Sequence, residues 1–211
     1  MKPFATMLPI LLSALILGGC VNVPPQDYSL FYQYQPKSIL ILPPRNLTTE
    51  LNANYSVFTQ SARSLADLGY YIYPTVLVDE YFKQNGILIA DEMHAIPLPK
   101  LHEIFQADAV LYIDVEAYGT KYVVFSSNNI VVASAVLVDA RTGTELWRGR
   151  VNYNEPGSSG LIEALIEQLI NQLTDQAHHA AGAAAEQLFR TRGQGIPPGF
   201  RHPEFGNPPD A

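Results

Sequence analysis

From Ala109 to Ala117 the chain alternates: Ala109, Leu111, Ile113, Val115 and Ala117 are apolar, while Asp114 and Glu116 fall between them. A period of two marks a strand with one face on a core and the other in water. Further strands are predicted from Lys121 to Phe125, from Ile130 to Asp139 and from Thr144 to Tyr153, with turns at "SSNN" and "DARTG". This half of the chain reads as an antiparallel meander. In the second turn Asp139 can accept hydrogen bonds from the backbone, Gly143 supplies a positive φ, and Trp147 enters the next strand as a large apolar anchor.

The preceding half changes period. "SILILPP" predicts a short buried strand, Ile39 to Leu42, stopped by Pro43 and Pro44, which cannot continue a ladder. Tyr55, Phe58, Ala62, Leu65 and Ala66 recur at helical spacing, with Gly69 where a helix C-cap belongs. "YYIYP" is a second short strand, and a helix from about Val76 to Lys83 ends at Asn85 and Gly86. Pro97 and Pro99 open a short helix carrying Leu101, Ile104 and Phe105. After the meander, Leu161, Leu165, Leu169 and Leu173 begin a helix of about 30 residues that runs through "QAHHAAGAAAEQLF". Its small residues, Ala177 to Ala185, suit close packing on the sheet or a self-association surface. The expected fold is α/β (α+β): a mixed sheet with a C-terminal antiparallel meander, helices packed on it and a long C-terminal helix.

The chain start is different again. One cationic residue, Lys2, precedes an apolar run from Phe4 to Leu17, too short and too broken by Pro9 and two glycines to cross a bilayer. Leu17, Gly18, Gly19 and Cys20 resemble a bacterial lipobox, which implies cleavage after Gly19 and lipidation of Cys20. Several acyl chains on one residue make a lasting anchor. Cys20 is the single cysteine, so no intramolecular disulfide is available and thiol catalysis is excluded. Val21 in place of aspartate at the second mature position favours, by resemblance to Gram-negative lipoproteins, the periplasmic leaflet of the outer membrane. The expected organisation is signal peptide 1–19, lipidated tether 20–37, one domain 38–192 and a Pro/Gly-rich tail 193–211, irregular and lying on the surface.

If flexible, the tether reaches about 20–25 Å. Its aromatics Tyr28, Phe31, Tyr32 and Tyr34 are the candidate contacts with a partner or the membrane, burial on the domain's own sheet being the competing explanation.

Composition adds limits. Hydrophobic residues make up 47% and charged residues 16%, which fits a globular domain, and the formal net charge of -7 makes nucleic acid an unsuitable partner. No Ser-His-Asp order, nucleophile elbow, Walker A loop or GxGxxG is present, and no cofactor or metal is expected. Asp175 and His179 lie one helical turn apart but lack an obvious third ligand. The neighbouring carboxylates of Asp79 and Glu80, and of Asp91 and Glu92, point apart on a helix or a strand. Asp114 and Glu116 share a strand face and could line a polar groove, with His102 and His178 as further candidates.

"GYYIYPTVLVDEYFKQNG", "KLHEIFQADAVLYI", "ASAVLVDARTGTELWRG" and "QLTDQAHHAAG", with "SILILPP" and "YGTKY", closely resemble a family of Gram-negative lipoproteins of unknown function that includes a meningococcal vaccine candidate. The resemblance implies a domain similar to the N-terminal domain of the Tol system protein TolB, with homo-oligomers, dimers, as its form. It also implies gene neighbours that include a relative of the curli secretion channel. The leading expectation is a non-enzymatic, lipid-anchored outer-membrane lipoprotein that binds itself and a channel-forming lipoprotein in an envelope transport or assembly complex. The alternative is a periplasmic small-ligand-binding or hydrolytic lipoprotein.

Overall fold

Ile39, Leu40, Ile41 and Leu42 are all buried, with no more than 1% of any of them exposed. A strand buried at successive positions must be covered on both faces. The computed structural model describes residues 26–123, 126–159 and 176–206. In chain order its elements are α1 Ser29–Tyr34, β1 Ser38–Ile41, β2 Arg45–Asn46, α2 Ala53–Asp67, β3 Tyr71–Ile72, α3 Thr75–Gln84, α4 Ala90–His94, α5 Leu98–Phe105, β4 Ala109–Val123, β5 Ser126–Asp139, β6 Glu145–Ser159 and α6 Gln176–Arg190.

The strands form one six-stranded mixed sheet in the order β3-β1-β4-β5-β6, with β2 also pairing with β4. β1 runs parallel to β3 and β4, and the last three strands form the antiparallel meander. The fold class is therefore the expected one. β1 leads through α2 to β3 on one side, and β3 returns over β1 to β4 through α3, α4 and α5. Right-handed crossovers in opposite directions place the two sets of helices on opposite faces.

Cover changes along β4. Ala109, Val110 and Leu111 are buried in succession, after which Ile113 and Val115 stay buried while Tyr112 and Asp114 become half-buried. The α3–α5 layer covers only the parallel part, and beyond it the helices among the described residues lie on one face of the sheet. On that covered face α6 packs against α2, β5 and β6. Ala180, Ala181, Ala184 and Ala185 are buried there, so the described part of the small-residue stripe is a packing surface. The part of the predicted long helix before Gln176 lies outside the described residues.

Several expectations change. The segment expected as tether is helical over Ser29–Tyr34, and Tyr28 and Phe31 are only 8% and 4% exposed in the core. The ordered domain thus starts before residue 38. Lys121–Val123 of the predicted strand Lys121–Phe125 continue β4, the last two residues lying outside the described ones, and "SSNN" lies inside β5 rather than in a turn, because ladder pairing runs out to Val123 and Ser126. Ala117 is not on the face of Val115: Val115 pairs with Ala133 and Ala117 with Val132, so Glu116 is an inserted residue and the alternation changes phase. Helix α4 carries no periodic signal in its five residues.

The described part of the tail, 193–206, is irregular but is built into the core. Gly195, Ile196, Pro197 and Gly199 are buried. The Tyr28 hydroxyl donates to the Gly195 carbonyl at 2.6 Å, Tyr70 Oη to the Pro197 carbonyl at 2.5 Å and Trp147 Nε1 to the Gln194 carbonyl at 2.8 Å. The two ends of the described chain are thereby fastened together.

Candidate functional site

Four strands line up one polar rung on the open face. Arg45 pairs with Asp114, Asp114 with Ser134, and Ser134 with Arg150, across β2, β4, β5 and β6. Arg45 arrives because the chain resumes a short parallel strand after Pro43 and Pro44. Arg148 and Arg150 arrive because in "WRGRV" they alternate with Trp147, Gly149 and Val151, which face the core.

Both carboxylates of the rung are held by two-pronged guanidinium contacts. Arg45 Nε and Nη2 donate to Asp114 at 2.6 and 2.5 Å, and Arg150 Nη1 and Nη2 donate to Glu116 at 2.5 and 2.6 Å. The bulge turns Glu116 toward β5, where its carboxylate also accepts from Ser134 Oγ at 3.1 Å. On the next rung Tyr112 pairs with Val136 and Val136 with Arg148, whose guanidinium is bound by Glu145 at 2.6 and 3.0 Å.

α4 closes one end. The His94 ring stands edge-on to Tyr112, centroids 5.2 Å apart, and its Nε2–H donates to the Pro43 carbonyl at 3.0 Å. Burial holds His94 below the usual histidine range, and the nearby Arg45 charge acts in the same direction. Burial also raises the Tyr112 phenol, and the hydrogen bonds to Asp114 raise Arg45. A cleft of about 380 Å³ lies among Arg45, His94, Tyr112, Asp114, Ser134 and Arg148. A second, of about 610 Å³, shares Ser134 and Arg148 and wraps the β6 edge at Gly149 toward Gln187 and Leu188.

The arrangement offers paired charge around a partly apolar sheet surface. Val132, Val136 and Val138 are half-buried on this face, between the guanidinium groups and the carboxylates. Asp114 and Glu116 do come together, but each has both oxygens engaged by arginine, a poor arrangement for a hydrolytic acid and base pair.

The other candidates lie elsewhere. His102 Nδ1 is 2.9 Å from the Ala107 carbonyl, closing the end of α5. His178 Nε2 accepts from the Gln60 side-chain amide at 2.7 Å, joining α6 to α2. Among the described residues no three His, Cys, Asp or Glu side chains are grouped to hold a metal. Asp175, with Gly19 and Cys20 of the lipobox, lies outside the described residues. Tyr28 and Phe31 are corrected from contact residues to core residues, and Tyr32 and Tyr34 pack half-buried against the same core. The Tyr34 hydroxyl is 3.2 Å from Thr144 Oγ1. Arg45, His94, Arg148 and Arg150 are site residues that sequence reasoning misses. Only the alternation in "WRGRV" hints at two of them, because the rung depends on register between distant strands.

Comparison with known proteins places the chain among lipoproteins. A family model described as "Putative lipoprotein GNA1162-like" matches residues 26–201. The chain is 42% identical over 167 residues to the "Putative lipoprotein NMB1124/NMB1162" of Neisseria meningitidis serogroup B, covering 75% of this chain and 78% of that one. It is similar to the crystal structure of lipoprotein GNA1162 from Neisseria meningitidis, with a TM-score of 0.55 and 42% identity over 66% of this chain and 99% of that one. A looser likeness, with a TM-score of 0.45 and 14% identity, is to the PelC dodecamer of Paraburkholderia phytofirmans, over 78% of this chain and 91% of that one. The chain belongs to the GNA1162-like lipoprotein family.

Proposed function

We propose that the chain is a non-enzymatic lipoprotein, acylated at Cys20 after cleavage behind Gly19 and held on the periplasmic face of the outer membrane, where it binds other envelope proteins. Its partners are a second copy of itself and a channel-forming lipoprotein of a transport or assembly complex. The observation that carries this reading is the face of β4, β5 and β6 that the described residues leave uncovered, with half-buried valines bordered by paired arginines and carboxylates. An apolar centre with a polar, hydrogen-bonding rim is the make-up of a protein interface.

Photo-crosslinking from position 136 in the anchored protein, followed by mild detergent extraction, tests it. Adducts with a second copy or with the channel lipoprotein are expected. Recovery of the protein alone, as a monomer, rejects the partner reading, and mass spectrometry that finds Cys20 unmodified rejects the anchor.

A second reading, small-ligand binding, draws on the 380 Å³ cleft beside His94 and Tyr112. If substitution of His94 and Tyr112 leaves the deletion phenotype fully complemented, that reading is discarded.

A further inference from the structure

Seven residues, Val21 to Asp27, separate Cys20 from Tyr28, the first core residue of the described chain. Fully extended they span about 25 Å, and α1 adds a rise of only about 9 Å before Gln35. If the acyl chains are on Cys20, the surface around α1 cannot stray far from the bilayer.

That surface has a distinctive make-up. Phe205 is 46% exposed, at the tip of a tight turn in which its N–H donates to the His202 carbonyl at 3.0 Å, and Gly206 follows at φ 83°. Phe205 and Gly206 border the same small void as Phe31, Gln35 and Pro36, at the end of α1. Next along, Lys37 accepts a hydrogen bond at its carbonyl from the Tyr71 N–H at 3.0 Å. The Tyr71 ring is 43% exposed. The Arg201 guanidinium lies 5.8 Å from the Tyr71 ring centroid and 4.8 Å from that of Phe200. Exposed aromatics beside Lys37 and Arg201 join an apolar tip to cations that suit lipid phosphates, with Glu204 and Asp108, which accepts from the Lys37 N–H at 3.0 Å, as acidic neighbours.

We propose that Phe205, Tyr71, Arg201 and Lys37 form a second, non-covalent contact with the phospholipid leaflet that holds the Cys20 acyl chains. The contact rests on the anchor reading and adds an orientation to it. β1 begins at this pole, where Ile39 pairs with Ala109, while Glu50 lies against Gly119, ten residues farther along β4. At about 3.4 Å per residue, Leu51 is then roughly 30 Å away, at the opposite pole facing the periplasm.

The test uses the full acylated protein in phosphatidylethanolamine and phosphatidylglycerol vesicles with brominated acyl chains. Phe205→Trp should show blue-shifted emission that the bromine quenches, above the background of Trp147, and Leu51→Trp should show neither. If Phe205→Trp stays unquenched while mass spectrometry finds Cys20 acylated, the contact is overturned and the anchor stands. Equal quenching at both positions overturns the orientation, and an unmodified Cys20 removes both. Should Phe205→Trp misfold, a nitroxide on Glu204→Cys gives the same information: protection from a water-soluble relaxant supports the contact, and full accessibility overturns it.

Discussion

The indole of Trp147 lies over Gly149, two residues along the same strand face, and occupies the space that a side chain at 149 would need. Trp147 is 1% exposed and stacks against Phe189 of α6, ring centroids 5.7 Å apart. Gly149→Ala places a methyl group inside the ring and close to Leu188, so the indole must leave its seat or the strand must move. Overpacking of this kind costs about 3 kcal/mol. At about 3 °C per kcal/mol for a domain of this size, the melting temperature should fall by about 10 °C. Thermal unfolding followed by the single tryptophan measures this directly, and an unchanged transition would contradict the packing.

Gly149 also marks the limit of what the residues announce by themselves. Trp147 as an anchor and Gly143 in the "DARTG" turn are legible because both follow from local rules. Asp139 Oδ1 accepts from the Arg141 and Thr142 N–H groups at 3.1 and 2.8 Å, and Gly143 sits at φ 74°. The β1 strand, α2, α3 and α5 are legible for the same reason, each having an apolar run or period of its own. Glu116 is not, because a bulge is a relation between strands: nothing in "DVEAYG" says that Val115 and Ala117 face adjacent partner residues with Glu116 left over. Arg45 and Arg150 meet their carboxylates only through register. Burial of Tyr28 and Phe31 depends on a tail more than 160 residues away, and contacts so distant leave no local periodicity.

The tail fastening leads to a second prediction. The Tyr28 and Tyr70 hydroxyls donate to the Gly195 and Pro197 carbonyls in buried surroundings. Tyr28→Phe or Tyr70→Phe keeps the ring but leaves a buried carbonyl without its donor, a cost of about 1–3 kcal/mol. Each should lower the urea midpoint with little change in m-value. Truncation after Arg192 removes both acceptors and the Gln194 carbonyl that binds Trp147. It should expose α1 to protease, and persistent resistance of Tyr28–Tyr34 to cleavage would rule out the fastening.

Ser61 and Ser64 invite the opposite change. Both lie on α2, 1% and 0% exposed, and neither hydroxyl has a hydrogen-bond partner among the described residues. A buried hydroxyl without a partner is destabilising, so Ser61→Ala and Ser64→Ala should leave stability unchanged or raise it by about 1 kcal/mol. Ser64→Leu should lower it by about 1–3 kcal/mol through overpacking. Denaturant titration of the three variants decides: a clear loss in either alanine variant means that the hydroxyl has a partner after all.

His94 predicts how the fold responds to acid. The groups around it are Arg45 on β2, Asp91 on its own helix, Asp114 and Tyr112 on β4, and Arg148 on β6. Burial, with Arg45 behind it, keeps the folded-state pKa below the unfolded value of about 6.5. Above that value both states carry a neutral ring and His94 adds no pH dependence. As pH falls through it, the unfolded chain takes up a proton that the folded chain refuses, so stability declines until the lower, folded pKa is passed. His94→Gln removes the titration while its amide can still donate to the Pro43 carbonyl. Unfolding measured between pH 7.5 and pH 5, a range set around that reference value, should show a steeper loss for the wild type than for the variant. The four other histidines, at 102, 178, 179 and 202, are common to both proteins. Parallel curves would mean that His94 takes up its proton as readily folded as unfolded, and that the end of the cleft it closes is open to water.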